Sequence, residues 1–324
     1  MSHPFAQLAP DLVLDAVESQ GFLSDARVMA LNSYENRVYQ VGIEDQAPLI
    51  AKFYRPERWS DLAILEEHAF SFELAEAEVP VVAPMRLNGQ SLFEHAGFRF
   101  ALFERRGGHA PEPGNFDQMY RFGQLLGRMH AIAATKTFSH RETLSVNNFG
   151  HGALNIIEQG PYLPPSLRGA YLSVAKDLLA NVEQRFNDVK YTSIRLHGDC
   201  HPGNLMYRDE VFHIVDLDDC RMGPAIQDLW MMLAGSRQEQ LAQLSELVEG
   251  YQDFYDFNPQ ELSLIEPLRA LRLLHHSAWI ATRWEDPAFP KAFPWFAHER
   301  YWGDQILHLR EQLSALDEAP LTLF

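Results

Sequence analysis

Asp199 and Asn204 lie five residues apart in the run Leu196-His197-Gly198-Asp199-Cys200-His201-Pro202-Gly203-Asn204, and twelve residues later comes Asp216-Leu217-Asp218-Asp219. Apolar pieces flank the run (Ile194 and Leu196 before it, Leu205, Met206 and Tyr207 after), which predicts a tight loop between two short strands. Such a loop aims a carboxylate and an amide oxygen at one point, with more carboxylates on the following strand. That is equipment for holding a hydroxyl nucleophile beside a hard, oxygen-loving cation. The chemistry expected is phosphoryl transfer from ATP with Mg²⁺. Asp199 would accept or orient the hydroxyl proton, Asn204 would offer a neutral oxygen to the metal, and Asp216 would bind the metal that bridges the phosphates. If side chains alternate along a strand through this stretch, Asp216 and Asp218 share a face, making Asp218 a second candidate ligand and Asp219 a structural residue. Like charges this crowded are unfavourable without a cation.

The pattern H-G-D-x-x-x-x-N fixes four positions, and chance supplies it about once in 10⁵ starting points when each residue type occurs at roughly one in twenty. A rival reading takes His197, Asp199 and His201 as an H-x-D-x-H metal site, or Cys200 as a histidine-activated nucleophile. Histidines four apart in a loop need not converge, and no other histidine cluster completes a hydrolase shell.

The elements that must position this loop follow from the rest of the chain. Asp11 is a candidate cap for a first helix that stops at Gly21. Residues 37–43 alternate and residues 49–54 follow a turn, which predicts an antiparallel pair. Lys52 falls mid-strand among apolar neighbours. Taken alone it reads as an edge lysine that snorkels to water; taken with the loop it is a fixed cation for the α- and β-phosphates. Ser60 can cap a helix running to about Ala77, with Glu66 and Glu67 one turn in. Near a helix start these glutamates are dipole-friendly surface charges, unless one of them pairs with Lys52. Asn88-Gly89 is a hairpin signal. Composition shifts at Arg106-Gly107-Gly108-His109 and the Pro111, Pro113, Gly114 segment, which sets a boundary between a lobe over 1–105 and a second over 106–324. Asn115 caps a helix over 116 to about 133, in which Gly123 and Gly127 permit close packing and His130 reads as a core or capping histidine. Ser166 opens another helix, and residues 205–207 and 211–215 form a hairpin. Beyond Pro224 the period is helical over about 224–235, 237–255, 260–284 and 298–315, with the tryptophans as packing aromatics.

The 324 residues are 46% hydrophobic, enough for about two domains. With 44 acidic against 27 basic residues the net charge is −17, which argues for solubility and against nucleic acid as a partner. Two cysteines, Cys200 and Cys220, do not make a disulfide framework. No basic start precedes an apolar run, and no segment approaches the roughly 18 uninterrupted apolar residues of a membrane span, so a cytoplasmic location is expected.

Six segments together resemble the aminoglycoside phosphotransferase/choline kinase branch of the protein-kinase-like superfamily, and more closely the bacterial stress response kinase A type of Ser/Thr protein kinase. They are residues 32–39, 51–59, 197–201, 215–219, 227–230 and 284–290. The resemblance implies an α+β fold of two lobes, a small antiparallel-sheet N-lobe and a mainly helical C-lobe, with ATP in the cleft. It makes Asp199 the proton acceptor and Asn204 and Asp216 the Mg²⁺ ligands. It also makes Lys52 the phosphate lysine, with Glu67 rather than Glu66 as its partner, places Ser33 near ATP, and uses Asp228 as a brace for the catalytic loop. A stress-protective cytosolic role is implied too, with a protein substrate, or a small hydroxyl compound in the alternative, and a monomer as the working unit. The chain departs from the pattern in three ways. Ser33-Tyr34-Glu35-Asn36 stands where a G-x-G-x-x-G loop would be, and Asp216-Leu217-Asp218 replaces D-F-G. Seven residues between Asp216 and Pro224 leave no room for a long activation loop. A nucleotide-binding pseudokinase is disfavoured by the intact set Lys52, Asp199, Asn204 and Asp216.

Overall fold

The computed structural model describes residues 3–112 and 114–323, so Pro113 of the expected linker lies outside the described residues. Helix α1 (Pro10–Glu18) starts on Pro10 at its first turn, where a missing N–H costs nothing, and not on an Asp11 cap. It packs beside a five-stranded antiparallel sheet of order β1-β2-β3-β5-β4, formed by β1 (Ser24–Ala30), β2 (Arg37–Ile43), β3 (Leu49–Phe53), β4 (Phe93–His95) and β5 (Phe98–Glu104). β1 was not expected from the sequence. Three of its seven residues are polar and none is buried, and its register breaks between Ser24 and Val28, where Ala26 takes a left-handed φ of 63°. The Asn88-Gly89 turn joins only the Leu87–Gln90 bridge, and the hairpin proper turns at Ala96-Gly97. Between β3 and β4 runs α2 (Asp61–Glu76), with Ser60 capping it by accepting from the Ala63 amide.

β5 leads through residues 105–114 into α3 (Phe116–Ala133), whose Asn115 cap accepts from the Gln118 amide. A π-helical turn (Asn147–His151) and α4 (Gly152–Gln159) follow, then α5 (Pro165–Asp188), which begins on Pro165. The chemistry-bearing segments come next: β6 (Ile194–Leu196), β7 (Leu205–Arg208), β8 (Val211–Ile214) and β9 (Arg221–Gly223). β7 and β8 form the expected hairpin, turning on Asp209 and Glu210, both at positive φ. The remainder is α6 (Ile226–Trp230), α7 (Arg237–Gln252), α8 (Ile265–Thr282), α9 (Ala288–Ala292) and α10 (Glu299–Asp317). α9 gives the proline-rich stretch an ordered path and buries Phe289. Among the described residues no helix is long and apolar enough to cross a membrane.

Two main cores hold these layers, with a small third cluster in which Ile64 of α2 packs with Tyr54 and with Ala101 of β5. The smaller of the two lies between α1 and the sheet around Val13, Val41, Ala51, Phe53 and Phe100. The larger is built from the helices after residue 115 and takes in Phe70, Leu74 and Val79 from α2 and the residues after it. α2 therefore ties the sheet lobe to the helical lobe. Gly123 and Gly127 on α3 meet α7 so closely that a methyl group at either would strike the carbonyl of Leu247 or Tyr251.

Candidate active site

The loop between β6 and β7 is shaped by backbone demands before any chemistry. Gly198 has φ +86° and lies against the Asp219 carbonyl, so a side chain is excluded there twice over. The buried Asp228 carboxylate accepts from the amides of His197 (2.7 Å) and Gly198 (2.9 Å), and His130 Nε2 lies 3.1 Å from it. Gln227 Nε2 donates to the Gly198 carbonyl at 3.1 Å. His197 is buried, its Nε2 bonded to the Val215 carbonyl at 3.0 Å, which links the loop to the strand end after β8. His197 and His130 are thus parts of the scaffold. Among the described residues no three His, Cys, Asp or Glu side chains gather as a metal cluster, so the H-x-D-x-H reading has no geometry behind it. Cys200 and Cys220 are buried free thiols, and burial pushes both up, Cys220 to about 12, so neither is an ionised nucleophile at neutral pH.

Asp199 faces a cleft of about 1330 Å³ between the lobes, which Asn204, Asp216, Lys52, Glu67 and Ser33 also line. Asn204 Nδ2 donates to the Asp199 carbonyl at 2.9 Å, and this turns its amide oxygen to the opposite side. Asp199 Oδ1 accepts from Arg272 Nη1 at 2.7 Å, and its Oδ2 lies 3.4 Å from His201 Nε2. Burial works to raise the Asp199 carboxyl, but His201 and the Arg272 charge outweigh it and hold it well below the usual carboxylate range.

Strand β8 stops at Ile214, and Asp216 enters the left-handed region at φ 59° before a 3₁₀ turn over Leu217–Asp219. The expectation that Asp216 and Asp218 share a strand face therefore fails, since a helical turn replaces the alternation. The Asp216 side chain is 50% exposed at the cleft, whereas that of Asp218 is 4% exposed, ion-paired with Arg58 and 3.2 Å from Lys52. Burial works to raise the Asp218 carboxyl, but Arg58 and Lys52 outweigh it and keep it ionised. Arg58 and Lys52 enclose Asp218, whereas Asp216 shares Lys52 but keeps half of its side chain open to the cleft.

Lys52 lies on β3, the middle strand of the sheet, paired with Val38 on one side and Ala101 on the other. At 5% exposure it cannot be a snorkelling edge lysine. Its ammonium donates to Asp216 Oδ1 at 2.9 Å and lies 3.5 Å from Glu67 Oε1. Burial disfavours its charge, but Asp216, Asp218 and Glu67 together raise it well above the ordinary lysine value. Glu67 also takes Arg141 Nη2 at 2.9 Å, while Glu66 turns away to accept from the amides of Ser139 and His140. Ser33 Oγ donates to the Asn36 carbonyl at 3.2 Å within the turn between β1 and β2.

Sequence reasoning missed the arginines that organise this cleft. Glu35, in the same turn, takes Arg55 at 3.0 Å, Arg283 at 2.7 Å and the Trp279 indole N–H at 2.5 Å. Asp286 takes Arg37 at 2.8 Å and Arg55 at 2.7 Å. The segment after β3 also supplies Arg58, which reaches Asp218 and Asp219 (2.8 Å). Apart from Arg55–Glu35, these pairs join residues more than 150 positions apart in sequence, and only an unusual density of arginine in 55–58 marked the segment. Val38, Ile50, Val82, Phe103, Met206 and Leu217 supply an apolar inner wall to the cleft.

Residues 27–265 match the model of the Phosphotransferase enzyme family. The chain belongs to this family. Relatives agree over nearly the full length. The chain is 47% identical over 319 residues to "Stress response kinase A" of Escherichia coli O157:H7, covering 98% of this chain and 97% of the relative. It is 44% identical, with the same coverage, to "Serine/threonine protein kinase RdoA" of Salmonella typhimurium strain LT2. Among solved structures it is similar to amicoumacin kinase hAmiN (19% identity, TM-score 0.73, 96% of this chain and 95% of that one). The choline kinase LicA of Streptococcus pneumoniae matches at 16% identity and TM-score 0.63 over 89% of this chain and 93% of that one. These likenesses confirm the α+β two-lobed, protein-kinase-like fold. Family membership makes the protein a phosphotransferase of the kinase type.

Proposed function

We propose that the protein transfers the γ-phosphoryl group of ATP, with Mg²⁺, to serine or threonine hydroxyls of protein substrates, in a stress-protective role. The observation that carries the reading is the convergence of Lys52, Glu67, Asp216, Asn204 and Asp199 on one interlobe cleft. Relatives named as a stress response kinase and a serine/threonine protein kinase, at 44–47% identity, support the protein acceptor and the stress role. The apolar inner wall suits an adenine ring. Lys52 suits the α- and β-phosphates, and the turn holding Ser33 covers the phosphate side. The donor set fits a hard cation: Asp216 is exposed at the cleft, and Asn204 is turned by its own hydrogen bond so that its oxygen is the free atom. Mg²⁺ would be held by these two residues and would offset the charge of the phosphates.

The chemistry then falls to Asp199. The acceptor oxygen forms a bond to the γ-phosphorus as the bond from that phosphorus to the β–γ bridging oxygen breaks, and ADP leaves with the electron pair. The hydroxyl proton passes to the Asp199 carboxylate. His201 and Arg272 keep the Asp199 carboxylate ionised, ready to orient the hydroxyl and to take its proton as the new bond forms. In this reading the chain works as a monomer in the cytoplasm, apart from membranes and nucleic acid.

The test is an acceptor screen with ATP labelled in its γ-phosphate, run on protein and peptide substrates beside small amino alcohols, sugars and choline-like compounds. Label recovered as phosphoserine or phosphothreonine is expected. Label confined to a small compound would overturn the protein-kinase reading while leaving the phosphotransferase in place.

A further inference from the structure

One face of α8 forms the wall of the cleft that Asp199 looks onto. Arg272, His275, His276 and Trp279 recur at the i, i+3, i+4, i+7 spacing of a single helix face, and all four line the cleft. The wall is largely aromatic. His275 stacks on Phe149 with ring centres 4.3 Å apart, and His276 stacks on Trp279 at 5.8 Å. Burial lowers both histidines, His275 to about 4, so at neutral pH neither supplies charge.

The cations around the acceptor side differ in how firmly they are committed. Arg221 gives two nitrogens to Asp219, one to its backbone oxygen at 2.7 Å and one to its carboxylate at 2.6 Å. Arg283 is bound to Glu35 at 2.7 Å, and Arg58 is divided between Asp218 and Asp219. Arg272 is different. Its side chain is 47% exposed, and its carboxylate contact is the 2.7 Å bond to Asp199 Oδ1, the group that the acceptor hydroxyl must approach. The guanidinium is half open to solvent and holds Asp199 through a single bond, so an incoming group can reach the pair and separate it. An acceptor that merely pushes Arg272 aside gains nothing for doing so. An acceptor that brings its own anion gives Arg272 a new partner and frees Asp199 for the hydroxyl. Without that arginine, the same anion would face the Asp199 and Asp219 carboxylates, with the neighbouring arginines already paired.

We propose that Arg272 is a specificity-determining residue that selects serine or threonine with an acidic side chain beside it in the substrate chain, the acidic group drawing Arg272 from Asp199 as the hydroxyl enters. The proposal rests on the protein-kinase reading above. Arg272 touches the atom that the hydroxyl must reach, so the acidic group belongs within one or two residues of the acceptor. In an extended chain that is a distance of about 3–7 Å.

The test uses the full chain, ATP·Mg²⁺ and a set of serine peptides carrying Asp, Asn or Lys at each of the two positions on either side of the serine. For the unaltered protein, kcat/KM at the best position is expected to be about tenfold or more higher for Asp than for Asn. Arg272→Gln should bring that ratio near one, Arg272→Lys should keep most of it, and Arg272→Glu should turn the preference toward Lys. The rise in Tm with ATP·Mg²⁺ shows that each variant is folded. The ratio in the unaltered protein decides the matter even for a variant lacking that rise. Equal rates on Asp and Asn peptides, or a preference that survives Arg272→Gln, would overturn the proposal alone. Label in no peptide of any charge would overturn the protein-kinase reading and this proposal with it.

Discussion

At the scale of single residues, the three aspartates of the 216–219 stretch have been given different surroundings. Asp216 is held in a left-handed turn, a conformation that Asp tolerates better than most residues, and projects into the cleft. Asp218 is buried against Arg58 and Lys52, and Asp219 is clasped by Arg58 and Arg221. Substitution should separate these roles. Asp216→Asn is expected to raise the Mg²⁺ concentration needed for half-maximal phosphotransfer by about tenfold or more, with a smaller loss of stability than Asp218→Asn because its side chain, though paired with Lys52, is half exposed. Asp218→Asn removes a charge from two buried cations and should cost about 3–5 kcal/mol in denaturant unfolding. A Mg²⁺ titration run beside an unfolding curve for both variants checks the division, and a normal titration for Asp216→Asn would remove that residue from the metal site.

At the scale of elements, the loop is only as well placed as the helices beneath it. α3 and α7 pack backbone to backbone through Gly123, Gly127 and Gly250, and this contact carries His130 and Tyr251 toward Asp228. Gly123→Ala would force the helices apart at the Leu247 carbonyl. It should destabilise by about 1–3 kcal/mol or more, read as a lower midpoint in urea. α6, which carries Gln227 and Asp228, is anchored by Glu261, whose buried carboxylate accepts from the Ile226 amide at 3.0 Å. Burial raises the Glu261 carboxyl from 4.5 to about 7, against the pull of the backbone amides. A folded-state pKa above the unfolded value means that this group's contribution is fully present below about pH 4.5 and is lost as pH rises through about 7. Relative to the unaltered protein, Glu261→Gln should therefore gain stability as pH rises from 4.5 to 8, measured by Tm at a series of pH values. A constant difference across that range would contradict the assignment.

The elements also show which parts of the sequence were legible. The caps at Ser60 and Asn115, the hairpin at Asp209-Glu210 and the loop from Leu196 to Asn204 are encoded within a few residues, so local pattern found them. β1 escaped because its polar and apolar residues do not alternate, none of them is buried, and a bulge breaks its register. Asp216 and Asp218 misled because strand alternation was carried four residues past the end of β8, into a 3₁₀ turn. The interlobe arginines escaped for another reason. Arg37 and Asp286 are 249 positions apart, and no local pattern pairs them.

At the scale of the whole molecule, the two lobes are held by buried charge as well as by the core that α2 shares. Asp286, on the helical lobe, takes Arg37 from β2 and Arg55 from the segment after β3, while Glu35 joins its turn to Arg283 and Trp279. Removing Asp286 leaves two guanidinium groups facing each other with one carboxylate fewer. Asp286→Ala should cost about 3–5 kcal/mol in unfolding and also raise KM for ATP, because the turn over the phosphate side loses its anchor. A KM for ATP unchanged in a folded Asp286→Ala protein would show that the clasp does not shape the nucleotide site. The central claim is that one cleft binds the nucleotide and sets an acceptor hydroxyl against Asp199. Its most direct test measures ATP·Mg²⁺ binding and γ-phosphoryl transfer to protein side by side in the unaltered chain and in Asp199→Ala. Binding within about twofold of the unaltered chain, with transfer reduced roughly 10²–10⁴-fold, is the expected result; transfer at the unaltered rate would contradict the account.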